Sequence, residues 1–186
     1  MTDQHYIQKV IEGDTDSFRF LIDKYKNKAF SVAFSMLHNQ EYAEDAVQEA
    51  FIQVFKKLYT FRGEALFSTW LVRIVVNESI KTLRKYKSES EGAKLANSEN
   101  EVAVNSSLNT LKESEQKHYI DITLMKMPSR EALVLQLYYL EELSLNEMET
   151  VMDLKSDYIK VILYRARKTF YGILEAELKH ELTSII

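Results

Sequence analysis

The sequence predicts an all-α protein of two small helical domains, the second containing a helix-turn-helix, and three observations carry that expectation. Among 186 residues there are four Gly and one Pro, too few for many strands joined by tight turns. Apolar residues recur at i, i+3, i+4 and i+7 over several long stretches, the period of a helix with one buried face. Between two such blocks, Ser88 to about Ser107 is rich in Ser, Asn and Glu and lacks an aromatic anchor, which marks a linker. The expected organisation is a domain over 1–87, a flexible acidic linker over 88–112 and a domain over 113–186.

The first helix is expected from near Asp14 to about Leu37, because Phe18, Leu21, Ile22, Tyr25, Ala29, Val32, Ala33 and Met36 share one face. Asn39 offers an N-cap for the next helix, whose apolar stripe is Ala43, Ala46, Val47, Ala50, Phe51, Val54, Phe55 and Leu58. Its opposite face holds Glu41, Glu44, Asp45, Gln48 and Glu49 early and Lys56 and Lys57 late, the order the helix dipole favours. A break at Arg62-Gly63 precedes a third helix over about Ser68 to Tyr86, with Trp70, Leu71, Ile74, Val75, Ile80 and Leu83 apolar. In the second domain Pro128 interrupts the chain and Ser129 can cap a helix apolar nearly all round, hence buried. Ser144-Leu-Asn-Glu147 has the capping-box pattern and opens a short helix ending near Met152. After a turn at Asp153-Leu-Lys, a last helix from about Ser156 turns Ile159, Ile162, Leu163, Ala166, Phe170, Ile173 and Leu174 inward.

Composition narrows the functional classes. The absence of Cys removes disulfides, thiolate metal sites and thiol nucleophiles, and makes a reducing compartment, the cytoplasm, the expected location. The N-terminus has no basic run followed by an apolar stretch, and no segment reaches the ~18 apolar residues of a membrane span, so neither secretion nor membrane insertion is expected. The formal net charge of −4 argues against non-specific nucleic-acid binding, but the charge is uneven. Residues 1–87 carry 13 basic and 11 acidic side chains, 88–117 carry 3 and 6, and 118–186 carry 8 and 11. Within the acidic last segment, Lys155, Lys160, Arg165, Arg167 and Lys168 gather on the outward face of the final helix against the single acid Asp157. A basic second helix of a helix-turn-helix suits the major groove, where Lys and Arg neutralise phosphates and read guanine edges.

These residues carry a resemblance. Ala43-Glu-Asp-Ala-Val-Gln-Glu-Ala-Phe51, Phe61-Arg-Gly-Glu-Ala-Leu-Phe-Ser-Thr-Trp-Leu-Val-Arg-Ile-Val-Val-Asn77 with Arg84, Met127-Pro128, and Tyr158-Ile-Lys160 through Tyr164-Arg-Ala-Arg-Lys168 stand in a specific order around a polar linker. In that order the chain resembles the extracytoplasmic-function group of the sigma-70 family of bacterial sigma factors over nearly all of residues 14–175. The resemblance implies a factor that brings RNA polymerase core enzyme to specific promoters and assists strand opening, without being an enzyme and without a cofactor or metal. It implies that Glu44, Asp45, Gln48 and Glu49 dock on core polymerase, an anionic face for a basic partner surface. Arg62, Gly63, Leu66 and Phe67 are similar to the loop that captures a base flipped from the downstream promoter element, although Phe67 equally suits a core. Arg73, Asn77, Lys81 and Arg84 form a polar stripe that would follow the opened strand, while Trp70 is expected in the packing. Recognition of the upstream element would fall to Lys155, Ser156, Tyr158, Lys160, Val161, Tyr164, Arg165, Arg167 and Lys168.

The chain departs from the family pattern at Val161 and Ile162, where small or polar residues and an Arg usually follow the Lys. It departs again at Asp153 for a turn Gly, Glu149 for Ala and Met127 for Leu. Ile162 lies on the apolar stripe, Val161 can touch a thymine methyl, and Asp tolerates left-handed backbone. The expected partners are core polymerase, promoter DNA and an anti-sigma factor, with the free chain monomeric. Two other classes fit the sequence less well. Glu115-Gln-Lys-His118 and Glu177-Leu-Lys-His180 have the Glu-x-x-His spacing of di-iron bundles, but Glu115 sits among polar residues and the required further carboxylates have no evident source. A repressor using only the C-terminal helix-turn-helix would leave Glu44–Glu49 and Arg62–Asn77 without a purpose.

Overall fold

The computed structural model describes the backbone of residues 2–92 and 111–184, with side chains described for 2–86 and 118–179. It is helical throughout, with no strand among the described residues. The helices are α1 (Asp3–Ile11), α2 (Phe18–Leu37), α3 (Gln40–Lys57), α4 (Phe67–Gly92), α5 (Leu111–Lys126), α6 (Ser129–Leu135), α7 (Leu145–Met152) and α8 (Ser156–Ser184). Short 3₁₀ turns at Thr15–Ser17 and Leu58–Thr60 tighten the entries to α2 and to the loop before α4, and α6 widens into a π turn over Gln136–Leu140.

The first half is a three-helix bundle of α2, α3 and α4 braced by α1. Small side chains make it close: Ala29, Ala33, Ala43, Ala46 and Ala50 are fully buried and admit the neighbouring helix backbones, while Leu21, Val54, Leu71 and Val75 fill the space between. In the second half α6 and α5 pack on α8, with α7 closing the end. Its core is larger-grained, built from Leu133, Val134, Leu137, Met148, Ile159, Ile162 and Leu163.

The halves share one continuous core rather than two. α2 lies on α6 and α4 lies on α7. The Thr69 hydroxyl donates to Glu147 across this junction at 2.9 Å, and Lys28 pairs with the nearly buried Glu141 carboxylate at 2.6 Å. A charge so desolvated depends on its partner.

The structure differs from sequence expectation at several boundaries. The α4 helix continues to Gly92, into the stretch expected as linker, and α5 already begins at Leu111; the remainder of that linker, 93–110, lies outside the described residues. Pro128, not Ser129, is the N-cap of α6, and no side-chain cap bond is made there. Proline's fixed φ and lack of an N–H suit the edge of a helix start, so a capping hydroxyl is not needed to set its direction. α1 and α5 were not expected, α1 because its apolar positions are only Tyr6, Ile7, Val10 and Ile11 over nine residues.

Candidate nucleic-acid and polymerase interfaces

On α3 the local rules fix which way each side chain faces. Asn39 caps the helix by accepting from the Tyr42 amide at 3.0 Å, the buried stripe turns Ala43, Ala46 and Ala50 inward, and Glu44, Asp45, Gln48 and Glu49 are left together on the exposed side. Glu44 accepts from Gln40 at 2.9 Å. Asp45 accepts from the Tyr86 hydroxyl at 3.3 Å, and the Tyr86 ring stacks on Tyr42 with centroids 3.6 Å apart. Tyr86 therefore ties α4 to the anionic face. It escaped sequence reading because the pair is 44 residues apart, although two tyrosines at helix ends were a visible signal.

The loop between α3 and α4 turns at Gly63, whose φ of 71° is the left-handed region that glycine adopts without strain. Arg62 and Leu66 are exposed, Leu66 by 68%, and the Leu66 carbonyl accepts from the Trp70 amide at 3.1 Å. The expectation for Phe67 is corrected: it is 4% exposed, ringed by Tyr25, Phe61 and Trp70 at 5.4, 5.6 and 5.9 Å between centroids. As the first apolar residue of α4 it is spent on closing the bundle, and Leu66 alone is left as an apolar loop wall. Trp70 packs against the core beside it.

Arg73, Asn77, Lys81 and Arg84 lie along the exposed side of α4, each about one turn from the next. Lys81 is partly neutralised by Glu78 at 2.7 Å, whereas Arg73 and Arg84 make no ion pair among the described residues. Arg73, Lys81 and Arg84 thus give the stripe a net positive charge and Asn77 its amide donor and acceptor.

The helix-turn-helix is held by a reciprocal cap. Ser144 accepts from the Glu147 amide at 3.3 Å, while the Glu147 carboxylate accepts from the Ser144 amide at 2.9 Å and hydroxyl at 2.7 Å. These Ser144 bonds, the hydroxyl first, hold the Glu147 carboxyl below the usual carboxylate range. Asp153 ends α7 at φ 54°, taking the left-handed conformation expected of it. Glu149, unusual at its position, accepts from the Ser156 amide and so caps α8 from the preceding helix.

Of the residues expected on the upstream-element face, Lys155 just before α8 and Tyr158, Lys160, Val161, Tyr164, Arg165 and Lys168 on it are exposed, with Ser156 half-buried at the helix start. Arg167 does not join them. Its Nε donates to the Tyr139 hydroxyl at 2.8 Å and its guanidinium lies 5.7 Å from the Tyr139 ring centre, so it packs on the π turn. Lys160 pairs with Asp157 at 3.0 Å, which leaves Lys155, Arg165 and Lys168 as the cations without an ion pair among the described residues. Arg130 of α6 stands over the Tyr158 ring at 5.3 Å, a brace for the first turn that the sequence did not signal. An open apolar groove of about 260 Å³ runs between α5, the π turn and α8, lined by Ile120, Leu124, Leu135, Tyr139 and Phe170.

Glu177 pairs with Lys126 at 2.7 Å, Glu115 and His180 lie outside the residues whose side chains are described, and no described cluster of His, Asp or Glu could hold a metal ion. Among the described residues no helix is long and apolar enough to cross a membrane.

Comparison with known proteins fixes the class and then the family. Sigma-70 region 2 matches residues 21–89, the α2 to α4 bundle. The ECF RNA polymerase sigma factor SigW of Bacillus subtilis (strain 168) is 31% identical over 170 residues, spanning 87% of this chain and 91% of that protein. The ECF RNA polymerase sigma-E factor of Escherichia coli (strain K12) is 28% identical over 90% of this chain and 92% of its own length. In fold, the chain is similar to the sigma factor RpoE solved with the anti-sigma factor NepR from Bartonella quintana, at 20% identity and a TM-score of 0.67, covering 85% of this chain and 96% of that one. It is also similar to CnrH solved with the cytosolic domain of CnrY, at 19% identity and a TM-score of 0.65, covering 94% and 97%. The chain belongs to the extracytoplasmic-function family of RNA polymerase sigma factors. It is a transcription initiation factor that directs core polymerase to promoters.

Proposed function

We propose that the two halves divide that task between the surfaces described above. The α3 face of Glu44, Asp45, Gln48 and Glu49 docks on a basic surface of core polymerase. Leu66 with the Arg62–Gly63 loop accepts an extruded base of the downstream element, and Arg73, Asn77, Lys81 and Arg84 follow the opened strand. The α8 face of Lys155, Tyr158, Lys160, Val161, Tyr164, Arg165 and Lys168 enters the major groove of the upstream element, and Arg167 supports that helix from behind. The protein acts by binding and carries out no covalent chemistry of its own. The observation that carries this reading is the segregation of charge: the outward face of α3 is anionic at its start, while Lys155 just before α8 and Arg165 and Lys168 on it have no ion pair among the described residues, inside an acidic half.

Of the proteins of similar fold named above, the sigma factor RpoE was solved with an anti-sigma factor and CnrH with the cytosolic domain of CnrY. Control by an anti-sigma partner is the corresponding proposal for this chain. The test of the division of labour mixes the full chain with bacterial core polymerase and a promoter library. Defined transcription starts are expected with the wild type; Glu44→Arg removes starts at every promoter, and Arg165→Ala lowers them according to the upstream sequence. Equal loss at all promoters for both variants overturns the division.

A further inference from the structure

We propose that Val161 reads the 5-methyl group of a thymine in the upstream promoter element, making a T·A pair the base the centre of α8 selects; this rests on the assignment of α8 to that element. At about 100° per residue, Val161 falls on the side of α8 opposite the buried Ile159, Ile162, Leu163 and Ala166. It is 45% exposed, so part of its isopropyl group faces solvent in the free chain. A β-branched apolar residue on the outward side of an amphipathic helix lowers helix propensity and leaves much of its apolar surface in water in the free protein.

The neighbours supply the rest of a groove-reading surface. Tyr158 and Tyr164 flank Val161 at 44% and 64% exposure, and Arg165 and Lys168 stand one residue beyond Tyr164 and two turns along, both without ion pairs among the described residues. The cations have phosphates or guanine edges as natural partners, and an isopropyl group between them has one: the major groove presents a single apolar group, the thymine methyl. The backbone agrees, because Glu149 already occupies the Ser156 amide at the start of α8. That carboxylate takes a helix-terminal donor a phosphate would otherwise use, and shifts recognition toward the side chains that follow.

Promoters are selected from a random library with holoenzyme containing the full chain, and each thymine of the selected upstream element is replaced singly by 2′-deoxyuridine, which deletes only the methyl. One such replacement is expected to weaken open-complex formation about three- to fivefold with the wild type. Val161→Ala is expected to lose about the same on the thymine duplex and to ignore that replacement, while Val161→Thr, which keeps one methyl, retains part of the response. Neither variant should unfold below the wild type, since the position is exposed, and Val161→Ala should melt slightly higher because alanine has the greater helix propensity. Indifference of the wild type to every replacement, full sensitivity retained by Val161→Ala, or a selected element without a fixed T·A pair each overturns the proposal. Scrambling the upstream element separates the two levels: if it abolishes transcription while no methyl deletion matters, thymine readout alone falls, and if it changes nothing, the assignment of α8 falls with it.

Discussion

α3 and α8 follow one plan with opposite signs. Each buries an unbroken apolar stripe and presents charge to solvent, but the first turns of α3 are anionic outward and the first turns of α8 mostly cationic. They differ more in how they are aimed. α3 is capped by its own preceding residue, Asn39, and turned by its alanines against α2 and α4. α8 is capped by Glu149 from another helix, braced by Arg130 on Tyr158, and stripped of Arg167 by Tyr139. A face set by local sequence keeps all its predicted members, whereas a face set by tertiary partners loses some of them.

The largest effect tests α3. Asp45→Arg should abolish binding to core polymerase, a loss of at least 100-fold, because a like charge placed in a complementary interface costs several kcal/mol. The side chain points outward, so the helical circular dichroism should not change; titration against labelled core with a parallel melt checks both. Retained binding would show that the anionic face is only solvated surface.

On α8 the contrast can be sharpened with two arginines. Arg165→Ala should weaken upstream-element binding by about 1–3 kcal/mol, whereas Arg167→Ala should act mainly on stability by releasing Tyr139. Equal losses of DNA affinity, measured by holoenzyme titration on one promoter, would place Arg167 back on the DNA face.

Next in size is the cap of the helix-turn-helix. Glu147→Ala removes the reciprocal bonds to Ser144 and the Thr69 bond across the junction, and should cost about 1–2 kcal/mol in urea unfolding. Since folding lowers the Glu147 pKa, its contribution is complete above the unfolded-chain value near 4.5 and is lost as the pH falls through the folded value. The wild type should therefore lose stability on acidification below about pH 4.5 more steeply than Glu147→Gln. Parallel slopes would show that the carboxylate is not coupled to folding.

What was legible in the sequence follows the same division. The bundle of α2, α3 and α4 was readable because its period is strong, its cap is adjacent and its alanines mark close approach; the capping box and the Asp153 turn were readable for the same local reason. Phe67 was ambiguous because burial of the first residue of α4 depends on Tyr25 and Phe61, one of them 42 residues away. Arg167 shares its spacing with Arg165 and Lys168, and only the π turn that lifts Tyr139 beside it distinguishes them. The packing of the halves rests on Lys28–Glu141 and Thr69–Glu147, pairs separated by 113 and 78 positions, for which no periodicity exists.

The smallest effect lies at the junction of α2 and α3, where His38 ends one helix and precedes the cap of the other. Its φ of 51° places it in the left-handed region, its Nε2 is buried with no hydrogen-bond partner among the described residues, and burial pushes its pKa down despite the opposing Ser35 backbone bond. The positive end of α3 begins two residues later and also disfavours a cation. Because the folded value lies below the unfolded one, the unfolded chain takes up a proton first as the pH drops below about 6.5, and stability falls until the folded value is passed. His38→Asn keeps a residue that tolerates left-handed backbone and removes the titrating group. Urea midpoints at pH 7.5 and 5.5 should converge in this variant and differ in the wild type, with no change in core binding at pH 7.5, since His38 lies under the α3 start and not on its anionic face. An unchanged difference between the two midpoints would assign the acid sensitivity to another group and leave the α2–α3 corner indifferent to protons.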